Sequence, residues 1–171
     1  LALALDKDFI EAYRSRAAAL YKQKKFEAGV KDYREVEKRT DQPDAELLLN
    51  LADGYLMAEN FTAARSYLDK VIQGGRKETP LLMKRARCLV ELEEFAAAIK
   101  DLDDIIASGD KSLDVFLEKA RAHVSMNNAK AAMETLGKAL ELEPSNATIL
   151  YNIALLKEEL GELKDAVLDY N

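Results

Sequence analysis

The chain has 171 residues, 49% of them hydrophobic and 33% charged, with three prolines, seven glycines, one cysteine and one histidine. Glycine and proline are too scarce for an all-β protein full of tight turns, and the abundance of Ala, Leu, Glu and Lys favours helix. A net charge of −6 argues against a nucleic-acid partner, whose phosphates need a positive field.

No apolar run approaches the roughly 20 residues of a membrane span, and none is expected. Cys88 is the lone cysteine, which excludes an intramolecular disulfide and a thiolate metal site within the chain. Its solitude is compatible with a reducing, cytoplasmic setting. The chain begins without methionine, and its opening LALALDKD matches KALELEPS from Lys138 to Ser145, with Ala2 on Ala139 and Leu5 on Leu142. Residues 1–9 are therefore expected to be the end of a preceding unit, and the chain a piece of a longer protein.

The first complete unit spans residues 10–44. Tyr13, Arg16, Ala17 and Leu20 recur at helical spacing, which predicts a helix over residues 10–23. Lys22 to Lys25 turn the chain. Phe26, Gly29, Val30, Tyr33 and Val36 make a second helix, and Pro43 closes the unit. The second unit, residues 45–78, carries Leu48, Leu51, Ala52 and Tyr55 on its first helix and Phe61, Ala64, Leu68 and Val71 on its second. Asn60 is placed to cap that second helix, and Gly74 and Gly75 to end it.

The third unit, residues 79–112, opens on Thr79 and Pro80, an N-cap with proline behind it. Leu82, Ala86 and Leu89 are followed by Phe95, Ala98, Leu102 and Ile105, and Gly109 ends the unit. The fourth, residues 113–146, has Phe116, Ala120, His123 and Val124 and then a helix from Ala129 to Leu142, with a turn at Pro144. A partial fifth, residues 147–171, holds Leu150, Ile153 and Ala154, turns at Gly161 and continues through Leu163, Ala166 and Tyr170.

Ala17, Ala52, Ala86, Ala120 and Ala154 thus recur every 34 residues after a first step of 35, as do Gly29, Ala64, Ala98, Ala132 and Ala166. A fixed period of this size marks a repeat array. Helices approach most closely where facing side chains are small, so the two series predict the crossing points of antiparallel helix pairs. One such hairpin cannot bury its apolar face alone, so stacked neighbours complete the core.

These residues resemble the tetratricopeptide repeat, a helix–turn–helix unit of 34 residues with small side chains at its two crossing positions. The resemblance covers essentially the whole chain. The family's usual tryptophan is replaced by Tyr13, Leu48, Leu82, Phe116 and Leu150. A consensus leucine becomes Arg16, Arg85 and Lys119 in three units, and the closing proline stands in register only at Pro144. The resemblance implies an all-α fold, a right-handed α-solenoid whose first helices line a concave groove. It implies a non-enzymatic scaffold, in some members a co-chaperone, that binds a peptide or helical segment of a partner protein. The rival expectations are an architectural segment that self-associates through exposed repeat ends and a regulatory domain of a larger enzyme.

Some members hold a partner's terminal carboxylates with a clamp of basic and amide side chains. The matching positions here are Arg14, Ala18, Asn50, Pro80 and Lys84. Ala18 and Pro80 offer no side-chain donor, so at least two charge-assisted hydrogen bonds would be missing. Arg14, Asn50 and Lys84 are better read as solvated.

A second constellation points to a groove. Leu49, Met83, Leu117 and Tyr151 occupy equivalent positions on successive first helices, and one turn later stand Asp53, Arg87, Arg121 and Leu155. An apolar row beside two arginines suits an amphipathic or extended partner segment with acidic residues. The competing expectation is that the row packs neighbouring repeats and the arginines pair with nearby carboxylates. His123 occupies a position usually held by tyrosine and is expected to pack toward the core, and Cys88 to be buried. The acidic runs Glu91 to Glu94 and Asp101 to Asp104 read as solvated faces. No catalytic or metal-ligand spacing is present and no cofactor is implied.

Overall fold

A computed structural model of the chain describes residues 2–161, with side chains described from residue 9 onward. Among the described residues there are nine α-helices and no strand: α1 (Ala2–Lys22), α2 (Phe26–Lys38), α3 (Ala45–Met57), α4 (Phe61–Gln73), α5 (Thr79–Glu91), α6 (Phe95–Ala107), α7 (Leu113–Ser125), α8 (Ala129–Leu142) and α9 (Ala147–Glu159). Leu163, Ala166 and Tyr170 lie outside the described residues. The chain divides into two compact units, residues 1–81 and 82–171.

Local signals set several helix ends. Asp44, Asn60, Asn128 and Asn146 each accept a hydrogen bond from a backbone amide of the first turn they precede, satisfying donors that the helix itself leaves unpaired. Gly74 caps α4, and Gly75 follows at φ +98°. One expected boundary is absent. α1 runs unbroken from Ala2 to Lys22, through the junction expected after residue 9. The stretch that matches the turn after α8 carries none of its breaking signals: Lys7 stands for Pro144 and Phe9 for the capping Asn146, and no glycine replaces them.

The turn inside each helix pair has a common geometry. Lys24, Glu59, Glu93 and Asn127 all have positive φ, between 56° and 61°, and Gly161 stands at the next equivalent position with φ +78°. The left-handed conformation reverses the chain so that the second helix packs back on the first.

In the first unit, Ala17, Ala52 and Ala64 are fully buried at the crossings, and Leu47, Leu51, Leu68 and Val36 fill the space around them. Tyr21 closes this core. Its ring lies edge-on to Phe26 and Tyr33, with centroids 5.8 and 5.4 Å away, and its hydroxyl donates to the Asn50 carbonyl at 2.8 Å. Burial pushes the phenol's pKa up, so it stays a donor. In the second unit Phe116, Ala120, Ala132, Leu136, Ile149 and Ile153 form one cluster, with Leu117 and Met133 packed at its edge.

Candidate functional site

The three basic residues that replace the consensus leucine have structural partners. Arg16 Nε and Nη2 donate to the two oxygens of Asp32 at 2.6 and 2.7 Å, fastening α1 to α2. Arg85 repeats the bidentate arrangement with Asp101 at 2.7 and 2.6 Å between α5 and α6. Asp101 is 2% exposed, which corrects the expectation that its run forms a solvated face. Two parallel charge-assisted bonds compensate the burial of the carboxylate. Lys119 has Thr135 at the corresponding spacing and turns instead to Asp103, at 2.6 Å. The signal is present in the sequence as an aspartate sixteen residues after each arginine.

The clamp-like positions make local contacts of their own. Arg14 Nη2 donates to Asp44 at 2.8 Å, so it is held rather than merely solvated. Asn50 is half-buried and its carbonyl is used by Tyr21. Leu49 and Asp53 are half-buried on α3. Lys84, on α5 in the second unit, is also half-buried.

Within the second unit, Met83 and Leu117 are half-buried, whereas Tyr151 is 54% exposed. Arg87 and Arg121 converge on one carboxylate. Arg121 donates to Glu118 through Nε at 2.9 Å and also through Nη2, and its Nη1 reaches Glu91 at 2.8 Å. Arg87 Nε stands 3.5 Å from the other oxygen of Glu118. Glu118, whose side chain is 13% exposed, is therefore the hub. Desolvation works against the Arg121 charge, but the hydrogen bonds to Glu91 and Glu118 outweigh it and hold the pKa above its ordinary value.

Beside this hub, α7 and α9 leave a cleft of about 560 Å³. Leu117, Arg121 and Val124 line it from α7, Asn152 and Leu155 from α9, and Leu136 closes the floor. Val124 and Leu155 are 48% and 41% exposed. The structure thus brings Leu117, Arg121 and Leu155 into one site. Tyr151 sits one turn before Leu155, outside the lining, and Leu49, Asn50 and Asp53 take no part. Asn152 is a lining residue that periodicity does not single out, and Val124, expected on the apolar face of its helix, lines the cleft without belonging to the predicted groove row. Val124 lies three residues after Arg121 and Asn152 three before Leu155, the spacing that places side chains on one face.

His123 is half-buried and its Nδ1 is buried without a hydrogen-bond partner. Burial, reinforced by Lys119, lowers its pKa from 6.5 against the pull of Asp103 and Glu134. Cys88 is fully buried. Among the described residues no cluster of His, Cys, Asp and Glu could hold a metal ion, and no helix is long and apolar enough to cross a membrane.

Comparison with known proteins agrees with this architecture. No curated protein sequence matches the chain significantly. Among solved structures, one described as "Crystal structure of MamA protein" superposes with a TM-score of 0.83 at 21% identity, covering 96% of this chain and 89% of that one. Another, MamA from Desulfovibrio magneticus RS-1, gives 0.82 at 15% identity over 95% and 92% of the two chains. At these identities the likeness is one of fold: an α-solenoid of stacked antiparallel helix pairs. Family models described as "Tetratricopeptide repeat" and "TPR repeat" match residues 14–80 and 120–161. With the recurring small crossings and the left-handed turns, these matches make the chain a member of the tetratricopeptide-repeat family.

Proposed function

We propose that this chain is a non-enzymatic interaction module that takes a segment of a partner protein in the cleft between α7 and α9. Tetratricopeptide repeats serve in general as scaffolds for protein–protein interaction, and the finer reading rests on one observation. The cleft presents open aliphatic side chains, Val124 and Leu155, above a floor of Leu136, with the amide of Asn152 and the guanidinium of Arg121 at its rim. Apolar side chains of a partner would displace water from the aliphatic surface, while Asn152 offers both a donor and an acceptor to a passing backbone.

The packing of Leu117 against the second unit's core is the competing use of the row. It accounts for Leu117 but leaves Val124 and Leu155 open. The test is affinity capture from the source lysate with the wild-type chain and a Leu155→Asp variant, read by mass spectrometry. A partner retained by the wild type and lost from the folded variant supports the cleft. Equal capture by both contradicts it, and mass that rises with concentration in the absence of any partner favours the self-associating reading.

A further inference from the structure

We propose that this chain associates with a second copy of itself through its turns, the basic turn between α1 and α2 of one copy receiving the acidic turn between α5 and α6 of another. The contact is independent of the cleft, to whose lining neither turn contributes.

The two turns stand at equivalent positions, two repeat steps apart, and carry opposite charge. Residues 22–31 hold four lysines and one glutamate, whereas the matching residues 91–100 hold three glutamates and one lysine. Lys24 and Lys25 thus correspond to Glu93 and Glu94, and all four are exposed. Both turns are also built alike. Lys24 and Glu93 have φ of 59° and 61°, and the amides of Lys25 and Glu94 donate to the carbonyls of Leu20 and Leu89 at 2.9 and 2.8 Å. Each turn therefore presents its charges from a backbone already fixed, which lowers the ordering cost of association.

Shape adds to charge in the first unit. A cavity of about 440 Å³ opens between the basic turn and the neighbouring turn after α3. Phe26, Met57 and Ala58 supply apolar wall, and Lys24 and Lys25 supply cations against the single carboxylate of Glu27. Met57 is 63% exposed, and methionine adapts its shape to an irregular partner. The acidic turn has the complementary build, with a half-buried Leu92 set among Glu91, Glu93 and Glu94. Glu91 already serves Arg121, so Glu93 and Glu94 are the carboxylates assigned to the contact. Exposed carboxylates exchange ion-pair partners at little cost. Opposite charges on turns of one conformation draw unlike turns together and repel like ones. The same chain supplies both halves, so a second copy is the occupant that these charges select.

The test is sedimentation velocity at rising concentration, in low and high salt, on three chains: wild type, Lys24→Glu/Lys25→Glu and Glu93→Lys/Glu94→Lys. Each change places at one turn the residue that the other turn already holds, so the fold should be kept, and circular dichroism checks that it is. Wild type should associate reversibly in low salt and dissociate in high salt. Either variant alone should associate at least about tenfold more weakly, and an equimolar mixture of the two should recover the wild-type affinity. The variants shift the net charge of −6 in opposite directions, so a loss in both separates this contact from general repulsion. Leu155→Asp should leave the association intact. A wild-type chain that stays monomeric in low salt overturns the proposal, as does a mixture that fails to recover association. Association that survives the turn variants also overturns it and belongs to the repeat ends, while association lost in Leu155→Asp overturns it in favour of the cleft.

Discussion

The hydroxyl of Tyr21 occupies the space that a side chain on residue 54 would need: a Cβ built on Gly54 would stand 1.8 Å from that oxygen and 2.5 Å from Val30 Cγ2. Gly29 makes room for the same ring, since its Cβ would lie 2.4 Å from two ring carbons. Two glycines on different helices thus admit one tyrosine, which ties α1 to α3 through the Asn50 carbonyl. Gly54→Ala should force the ring out and destabilise the first unit by about 1–3 kcal/mol, as overpacking does elsewhere. Urea unfolding would measure this. Combined with Tyr21→Ala, the loss should be smaller than the sum of the two single changes, because they share one contact.

Asp101 offers a test of buried charge. Asp101→Ala removes the bidentate partner of Arg85, whose side chain is only 22% exposed, and should cost about 2–3 kcal/mol. The second repeat shows the alternative: Leu51 and Tyr67, sixteen residues apart and both buried, stand at the corresponding positions. Arg85→Leu combined with Asp101→Tyr should therefore be far milder than Asp101→Ala alone. Equal losses in denaturant unfolding would show that the ion pair contributes nothing specific.

The left-handed turns predict stabilising substitutions. Lys24, Glu59 and Glu93 hold positive φ without being glycine, and side chains with a Cβ are strained there. Each change to glycine should raise stability by about 0.5–1 kcal/mol after the added freedom of the unfolded chain is deducted. Thermal unfolding of the three single variants tests this. Gly161, already glycine at the equivalent turn, should lose stability on replacement by alanine.

His123 links stability to pH. Its pKa is lowered in the fold from an ordinary value of 6.5, so the unfolded chain takes up a proton first as pH falls. The stability that the neutral imidazole confers is full above about 6.5 and is lost as pH descends toward the folded pKa. Wild type should accordingly lose more Tm than His123→Phe between about pH 7.5 and 5.5. Identical pH profiles would contradict the assignment.

The helix crossings are legible in the sequence because alanine or glycine recurs with a fixed period, and Ala17, Ala52, Ala86, Ala120 and Ala154 are all buried. Ala120→Leu should cost about 1–3 kcal/mol for the same reason. The Arg16–Asp32 and Arg85–Asp101 pairs are written there too, but each arginine reads as a lapse from an apolar consensus until its partner is seen across the helix pair. The row of Leu49, Met83, Leu117 and Tyr151 is visible as periodicity. Its exposure is not, because the openness of Val124 and Leu155 depends on how α7 and α9 diverge. The pairing of Arg87 and Arg121 on Glu118 favours a neutral substitution over a charge reversal. Reversing both charges would set two new carboxylates beside a nearly buried one, so Arg121→Gln tests recognition with less damage to the fold.

The most direct test of the cleft is a methyl-resolved NMR titration of the chain with a partner segment captured from lysate. Perturbations concentrated at Leu117, Val124 and Leu155, and abolished by Leu155→Asp, are the predicted result. Perturbations confined to the second helices or to the first unit, with those three methyls unmoved, would contradict it.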